Sequence, residues 1–347
     1  MRKSGAKNNG RDRKGELKMK KYVIGVDGGN TKTDYFLFDV EGNFIDYIKD
    51  GTCSHEHVGY DGAEKILNNK IDEFTRRNNI NRSDIEAGAF GLAGIDIKPQ
   101  YENFIGIMER LNIKKYACDN DSFLGIIAGT SKGCGICSIN GTGTVSGGID
   151  PSGKRLQVGG IGHLTSDDAG GGFIASTGAR LVYDSFFRCG EPTLMSEPVF
   201  KMLGINHPDD LMQAFSENYN KLYSTEMTRI VFKAADKGDK PALEALKEAA
   251  NQLAKTSAGC ARGLNFGDEI EIVLAGSVWV KAESSALFDF YQTFMMNFLP
   301  GKILKYNILQ VPPATGAILW ALSLTGIDPF QENIRQKVIK AVEDRLR

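Results

Sequence analysis

The sequence lacks a surplus of either charge: 42 Lys and Arg stand against 43 Asp and Glu, a net charge of −1 over 347 residues. That balance argues against nucleic acid or an anionic membrane held by bulk charge. No run approaches the ~18 apolar residues of a spanning helix, and no secretory-signal pattern opens the chain. Cysteines are few: Cys53, Cys118, Cys134, Cys137, Cys189 and Cys260. In a chain this long they form no disulfide framework, so reduced thiols and a cytoplasmic location are expected. Cys134 and Cys137 have the spacing of a redox or zinc pair. No second Cys or His pair follows at finger-like spacing, and a structural role in a strand is the expectation.

What is present in excess is glycine, 40 residues, of which sixteen fall between Gly125 and Gly178 without a collagen period. Glycine concentrated in this way brings backbone close to something. With 41% hydrophobic and 24% charged residues the chain is expected to fold, and its length suits about two domains. Residues 1–18 are rich in Arg, Lys, Gly and Asn without apolar periodicity, and read as a disordered leader or tag.

From residue 19 the chain alternates strand-like and helix-like stretches. Strands are expected over 22–27, 34–40, 44–48, 85–92 and 115–118, with helical stripes over 61–78 and around Phe104, Met108 and Leu111. The pattern then partly repeats. Strands are expected over 135–139, 145–149, 156–158 and 271–274, with helices over 173–187, after Pro241, around Leu287 to Phe298, and from Asp328-Pro329. The repeat is sharpest at two turns. Asp27-Gly28-Gly29-Asn30-Thr31 and Asn140-Gly141-Thr142-Gly143-Thr144 each lie between two strands. A duplicated α/β architecture with two lobes and glycine turns facing a cleft follows.

A tight turn with glycines and a Thr offers backbone N–H groups and a hydroxyl to an anion, and phosphate suits it. A Cβ would hold phosphate oxygens away from the amides. The Walker A pattern is absent, and the dinucleotide fingerprint places its glycines between strand and helix instead. Asp27, at the end of the first strand, suits a Mg²⁺ ion bridging nucleotide phosphates through water. Lys32 either meets phosphate or points to solvent. Asp119-Asn120-Asp121 ends another strand, where ligands bind in α/β sheets. A carboxylate there can accept a proton from an attacking hydroxyl, or simply cap the following helix. The segment 159–172 is too glycine-dense for a helix and reads as a loop delivering carboxylates to a polar ligand, with His163 as a hydrogen-bonding support.

Together these turns resemble the ASKHA superfamily of actin, Hsp70 and sugar kinases. They look most like the N-acetylglucosamine kinase branch of the BadF/BadG/BcrA/BcrD ATPase family. The family's phosphate motifs are matched by Asp27-Gly28-Gly29-Asn30-Thr31 and Gly141-Thr142-Gly143-Thr144, and its adenosine motif by Ala275-Gly276-Ser277-Val278-Trp279. Its Ala-x-x-Gly-Asp segment is matched by Ala235-Asp236-Lys237-Gly238-Asp239. The resemblance implies a two-lobed actin-like ATPase (ribonuclease H-like) fold of duplicated domains around a nucleotide cleft. The expected lobes are 19–118 and 119–325, with a C-terminal helix in 326–347 packing back on the first.

By the same resemblance the chain is an ATP- and Mg²⁺-dependent kinase of an amino sugar or related small hydroxylated substrate, working as a homodimer. Asp119 takes the place of the catalytic aspartate. Gly28, Gly29, Asn30, Thr31, Lys32, Gly141, Thr142, Gly143, Ala235, Gly276 and Ser277 take the nucleotide-binding places. Ser54, His55, Asp119, Thr144, Gly160, Ile161, Gly162 and Asp167 take the sugar-binding places. Three departures fall on the sugar side. Ser54 stands for an amide side chain, Ile161 for an aromatic wall, and Ser166-Asp167-Asp168-Ala169-Gly170 for Gly-Asp-Glu-Gly-Ser. The alternatives are the family's other branch, ATPase activators of 2-hydroxyacyl-CoA dehydratases or benzoyl-CoA reductases that hold an iron–sulfur cluster, and a sugar-sensing module without turnover.

Overall fold

A computed structural model describes residues 20–346. The expected leader at 1–18 lies outside the described residues. The first half runs β1 (Tyr22–Gly28), β2 (Lys32–Asp39), β3 (Phe44–Gly51), α1 (His55–Asn78), β4 (Ile85–Leu92), α2 (Lys98–Arg110), β5 (Lys115–Asp119) and α3 (Ser122–Gly129). In the second half, β6 (Gly135–Asn140), β7 (Thr144–Ile149) and β8 (Arg155–Gly159) precede α4 (Gly171–Phe187), α5 (Ser196–Leu203), α6 (Leu211–Glu217), α7 (Thr225–Asp236) and α8 (Lys240–Gly263). The chain ends with β9 (Glu269–Ala275), α9 (Ser277–Val280), α10 (Ala286–Phe298), β10 (Ile303–Ile308), α11 (Ala314–Leu324) and α12 (Glu332–Leu346). Among the described residues no helix is long and apolar enough to cross a membrane.

Each half builds one five-stranded sheet, ordered β3-β2-β1-β4-β5 and β10-β9-β6-β7-β8. Read from the first strand of each half, the two topologies are the same. β1 pairs β2 antiparallel and β4 parallel, and β6 pairs β7 antiparallel and β9 parallel. The duplication anticipated from the two turns is therefore a duplication of whole sheets.

Alternation along the strands assigns their faces. In β9, Ile270, Ile272 and Leu274 face a core beneath α4, α7, α8 and α10, while Val273 and Ala275 face the opposite way. In β1, Ile24 and Val26 pack under α1 and α2, while Val23 joins the core between the two sheets. The molecule is thus five layers, helix–sheet–helix–sheet–helix, with α3, α11 and α12 in the middle.

The middle layer is exchanged. α3 follows the first sheet but packs on β6, β7 and β9, while α11 follows the second sheet but packs on β1, β4 and β5. The helices cross so closely that a Cβ on Gly316 would lie 2.1 Å from the Leu124 carbonyl. The lobe limit read at residue 325 cuts just behind a helix whose neighbours are in the first lobe. α12 packs on α11 and β3 through Val338 and Val342, both fully buried. Its first turn begins at Glu332 rather than at Asp328, whose carboxylate accepts the Phe330 N–H at 3.0 Å and makes a turn instead. β10, unread in the sequence, is an exposed edge strand whose side chains offer little apolar contrast.

Candidate active site in the interlobe cleft

The two glycine turns differ in why they are glycine. In the β1–β2 turn the Gly29 N–H donates to the Lys32 carbonyl at 2.9 Å, leaving Asn30 and Thr31 exposed. Gly28 is required by packing, since a Cβ there would stand 2.7 Å from Leu92 and 3.0 Å from Cys53. In the β6–β7 turn the Gly141 N–H donates to the Gly143 carbonyl at 3.0 Å, and a Cβ on either residue would meet nothing within 4 Å. No protein atom explains those two glycines. An anion seated on the turn would.

The start of α4 is pressed onto this turn. The Gly171 N–H donates to the Gly141 carbonyl at 2.8 Å, and a Cβ on Gly170 would lie 2.4 Å from the Thr142 oxygen. A 17-residue helix thus brings its positive end to the β6–β7 turn. Gly141, Thr142, Gly171, Phe232, Ser277 and Val278 line a cavity of about 720 Å³ there, with Arg229 and Lys281 among its charged residues. Gly276 turns the chain from β9 into α9 with φ +98°, and a Cβ on it would strike the Asn140 carbonyl at 2.4 Å. Only glycine joins strand to helix there, which places Ser277 on the wall. Ala235 does not line this cavity. It is sealed in the core of the second lobe, and the face of α7 turned to the cavity presents Thr225, Thr228, Arg229 and Phe232 instead. The Asp239 of the same motif caps α8 by accepting the Ala242 N–H at 3.1 Å.

On the first lobe's side, carboxylates gather at the ends of β1 and β5. Asp27 accepts the Ala314 N–H, yet burial, then Asp121 and Asp34, push its pKa up to about 7. Asp121, at the start of α3, is pushed up to about 6 by burial and by Asp96. Lys32 is half exposed, its ammonium pairs with buried Asp34 at 2.6 Å, and Asp34 also accepts from the Tyr47 hydroxyl at 2.6 Å.

Asp119, the expected base, is engaged on both carboxylate oxygens. Its Oδ2 is held by Arg155 Nη1 at 2.7 Å, and its Oδ1 accepts the Asn120 N–H at 2.9 Å. It faces the β8 side of the lobe junction, whereas Asp121 is the acid close enough to Asp27 to raise its pKa. Side chains two apart share a face only in a continuous strand, and β5 ends at Asp119. The sequence alone therefore does not separate the two.

The loop after β8 is folded on one carboxylate. Asp167 Oδ2 accepts from the Gly160 N–H at 2.9 Å, the Gly162 N–H at 2.6 Å and the Thr165 hydroxyl at 2.7 Å. Its Oδ1 is buried without a partner. Thr144 donates to the Asp167 carbonyl at 3.1 Å, so the second turn and this loop are joined. His163 pairs with Asp168 at 2.7 Å, the supporting role expected of it, and Ile161 is exposed. Ser54 is buried and its hydroxyl has no partner. His55 has its Nδ1 likewise unpaired, with its ring stacked 4.6 Å from that of Tyr60.

Sequence reasoning missed Asp96, Asn120, Arg155 and Gln157. Asp96 Oδ1 accepts from Asn120 Nδ2 at 3.0 Å and from Gln157 Nε2 at 2.9 Å, beside Asp121. The position of Asp96, shortly after the end of a parallel strand, was the available signal.

The family model of the BadF/BadG/BcrA/BcrD ATPase family matches residues 24–321. The N-acetylmuramic acid/N-acetylglucosamine kinase of Clostridium acetobutylicum is 25% identical over 306 residues, covering 87% of this chain and 99% of that protein. The N-acetyl-D-glucosamine kinase of Dictyostelium discoideum is 25% identical over 326 residues, covering 88% of this chain and 98% of the relative. In fold, the chain is similar to a Chromobacterium violaceum structure described as a candidate N-acetylglucosamine kinase. The TM-score is 0.57 at 20% identity, covering 86% of this chain and 98% of that one.

Proposed function

The chain belongs to the BadF/BadG/BcrA/BcrD ATPase family, and we propose that it transfers the γ-phosphoryl group of ATP to a hydroxyl of an N-acetylated amino sugar. One observation carries the reading: Gly141 and Gly143 lack any packing reason to be glycine, and they stand at the positive end of α4 beside the 720 Å³ cavity. That arrangement suits a nucleotide with its phosphates on the turn and its nucleoside against Phe232 and Ser277. Asp121 is proposed to take the acceptor's proton. Its raised pKa matches it to that work near neutral pH. Phosphoryl transfer depends mainly on position and charge, so the amides of the two turns count as much as the base. Gly160, Gly162, Thr144 and Asp167 are proposed to present the acceptor from the second lobe, with Ser54 and His55 opposite.

Asp27 fits a Mg²⁺ ion. Asp121 and Asp34 both bear on Asp27, and Asp34 is paired with Lys32. An ion there would be held mostly by phosphates and water. Bound there, Mg²⁺ would neutralise charge on the phosphates. The activator alternative is not favoured: the curated relatives are sugar kinases, and Cys137 is sealed in the core between the sheets. A homodimer in the cytoplasm completes the proposal.

An ADP-release screen tests it, using N-acetylglucosamine, N-acetylmuramate, N-acetylmannosamine, glucose and glucosamine with a no-sugar control. Release dependent on an N-acetylated sugar is expected. Release that no sugar increases would reject the kinase reading.

A further inference from the structure

Two side chains of β8 reach across to the first lobe. Arg155 Nη1 donates to Asp119 Oδ2 at 2.7 Å, and Gln157 Nε2 donates to Asp96 Oδ1 at 2.9 Å. They are two apart on one strand and so leave the same face. Their acceptors bracket the turn that carries Asp121. Asp119 Oδ1 accepts the Asn120 N–H at 2.9 Å, Asn120 Nδ2 donates to Asp96 at 3.0 Å, and Asn120 Oδ1 accepts the Ser122 N–H at 2.9 Å. The turn is therefore tied to the second lobe twice, directly through Arg155 and by way of Asp96 through Gln157.

The Arg155 link is built for fixed geometry. Its guanidinium lies 4.3 Å from the Trp320 ring centroid and 5.5 Å from that of Phe123, and both it and Asp119 are mostly buried. A desolvated pair with its cation resting on an aromatic ring holds its partner in one place, unlike a mobile surface pair. Asp121 makes no side-chain cap bond at the start of α3, so its orientation is inherited from the turn.

We propose that Arg155 and Gln157 are positioning residues: contact of β8 with the 119–121 turn holds Asp121 in working orientation. The proposal rests on the kinase reading. It gives Asp119 a role too, as the anchor of that contact and not as the base. Displacing a reacting group by about 1 Å can cost on the order of 10²-fold in rate. Neither Arg155 nor Gln157 lines the nucleotide cavity, so ATP binding is spared.

The test compares wild type with Arg155→Met, Arg155→Lys, Gln157→Leu, Asp119→Asn and the double variant Arg155→Met/Asp119→Asn. With the sugar that wild type uses, Arg155→Met is expected to lower kcat roughly 10- to 100-fold, with the KM for ATP little changed. Arg155→Lys should recover part of that loss, because charge survives while the planar contact does not. The double variant should be no slower than the slower single one, since both break the same link. Turnover by Arg155→Met within about twofold of wild type, or losses that multiply in the double variant, overturns the proposal. Should Arg155→Met not fold, Gln157→Leu carries the comparison with the same expected fall in kcat. A wild type without sugar-dependent ADP release defeats the kinase reading and this proposal with it, whereas an active wild type with an unaffected Arg155→Met defeats the proposal alone.

Discussion

Asp121 carries the most specific expectation at the scale of single residues. Asp121→Asn keeps nearly the same volume and removes the proton acceptor, so ATP binding by calorimetry should persist while sugar-dependent turnover falls about 10²- to 10⁴-fold. Full turnover in that variant sinks the assignment. Because its pKa is pushed up to about 6, the base is ionised above that value and protonated below it. The kcat/KM profile of wild type should therefore fall as pH drops through about 6, where an ordinary carboxylate would titrate near 4. The sign for stability is opposite to that of a salt-bridged acid. A raised carboxylate holds its proton longer in the folded state, so Asp27 and Asp121 withdraw stability as pH rises from the ordinary carboxylate range toward 7. The ligand-free Asp27→Asn protein should accordingly melt a few degrees above wild type at pH 8, and a lower melting point would contradict this. Residue types here were readable in advance, but roles were not. Asp119 and Asp121 are chemically equivalent in sequence, and only the partner Arg155 separates them.

Among elements, the two kinds of glycine give opposite predictions. Gly143→Val adds a side chain into open space, so its melting temperature should stay close to wild type while the KM for ATP rises at least about tenfold through obstruction of the phosphates. A variant with unchanged ATP affinity would show that the turn is not a phosphate cradle. Gly276→Ala should behave in reverse. Its φ of +98° and the 2.4 Å approach to the Asn140 carbonyl cost roughly 1–3 kcal/mol from the backbone alone. Thermal melting should register the loss before any nucleotide is added. Most elements were legible because their faces contrast: strands alternate between two cores, and α8 shows an apolar stripe from Ala242 to Cys260. β10 was not, since exposure at Ile303 and Ile308 erases the contrast that marks a strand. Neither was α11, whose nine buried residues from Ala314 to Leu322 leave no polar face.

For the whole molecule, α12 acts as a strap across both halves. Val338 and Val342 fill the core between the sheets, while Arg335 donates to the Thr130 carbonyl at 2.6 Å and the Ala128 carbonyl at 2.7 Å, closing the end of α3. Truncation before residue 332 should therefore destabilise both lobes together. Each buried valine is worth ~1.5–3 kcal/mol, before the freed carbonyls of α3 are counted. A truncated protein that melts where the full chain melts would show that α12 is an accessory.

By itself the sequence determined the local chemistry: where most of the strands lie, where two Gly/Thr turns interrupt them, and that one design is used twice. Those features depend on periodicity and on residues near each other in the chain, where short-range sterics decide. The exchange of α3 with α11, the burial that lifts Asp27 and Asp121, the sealing of Ala235 in the core, and the pairing of Arg155 with Asp119 were decided only in three dimensions. Each depends on contact between residues far apart in sequence, for which the chain carries no periodic signal. The two glycine turns could be read because a turn is local. The proposed base could not, because its assignment depends on which lobe its neighbours face.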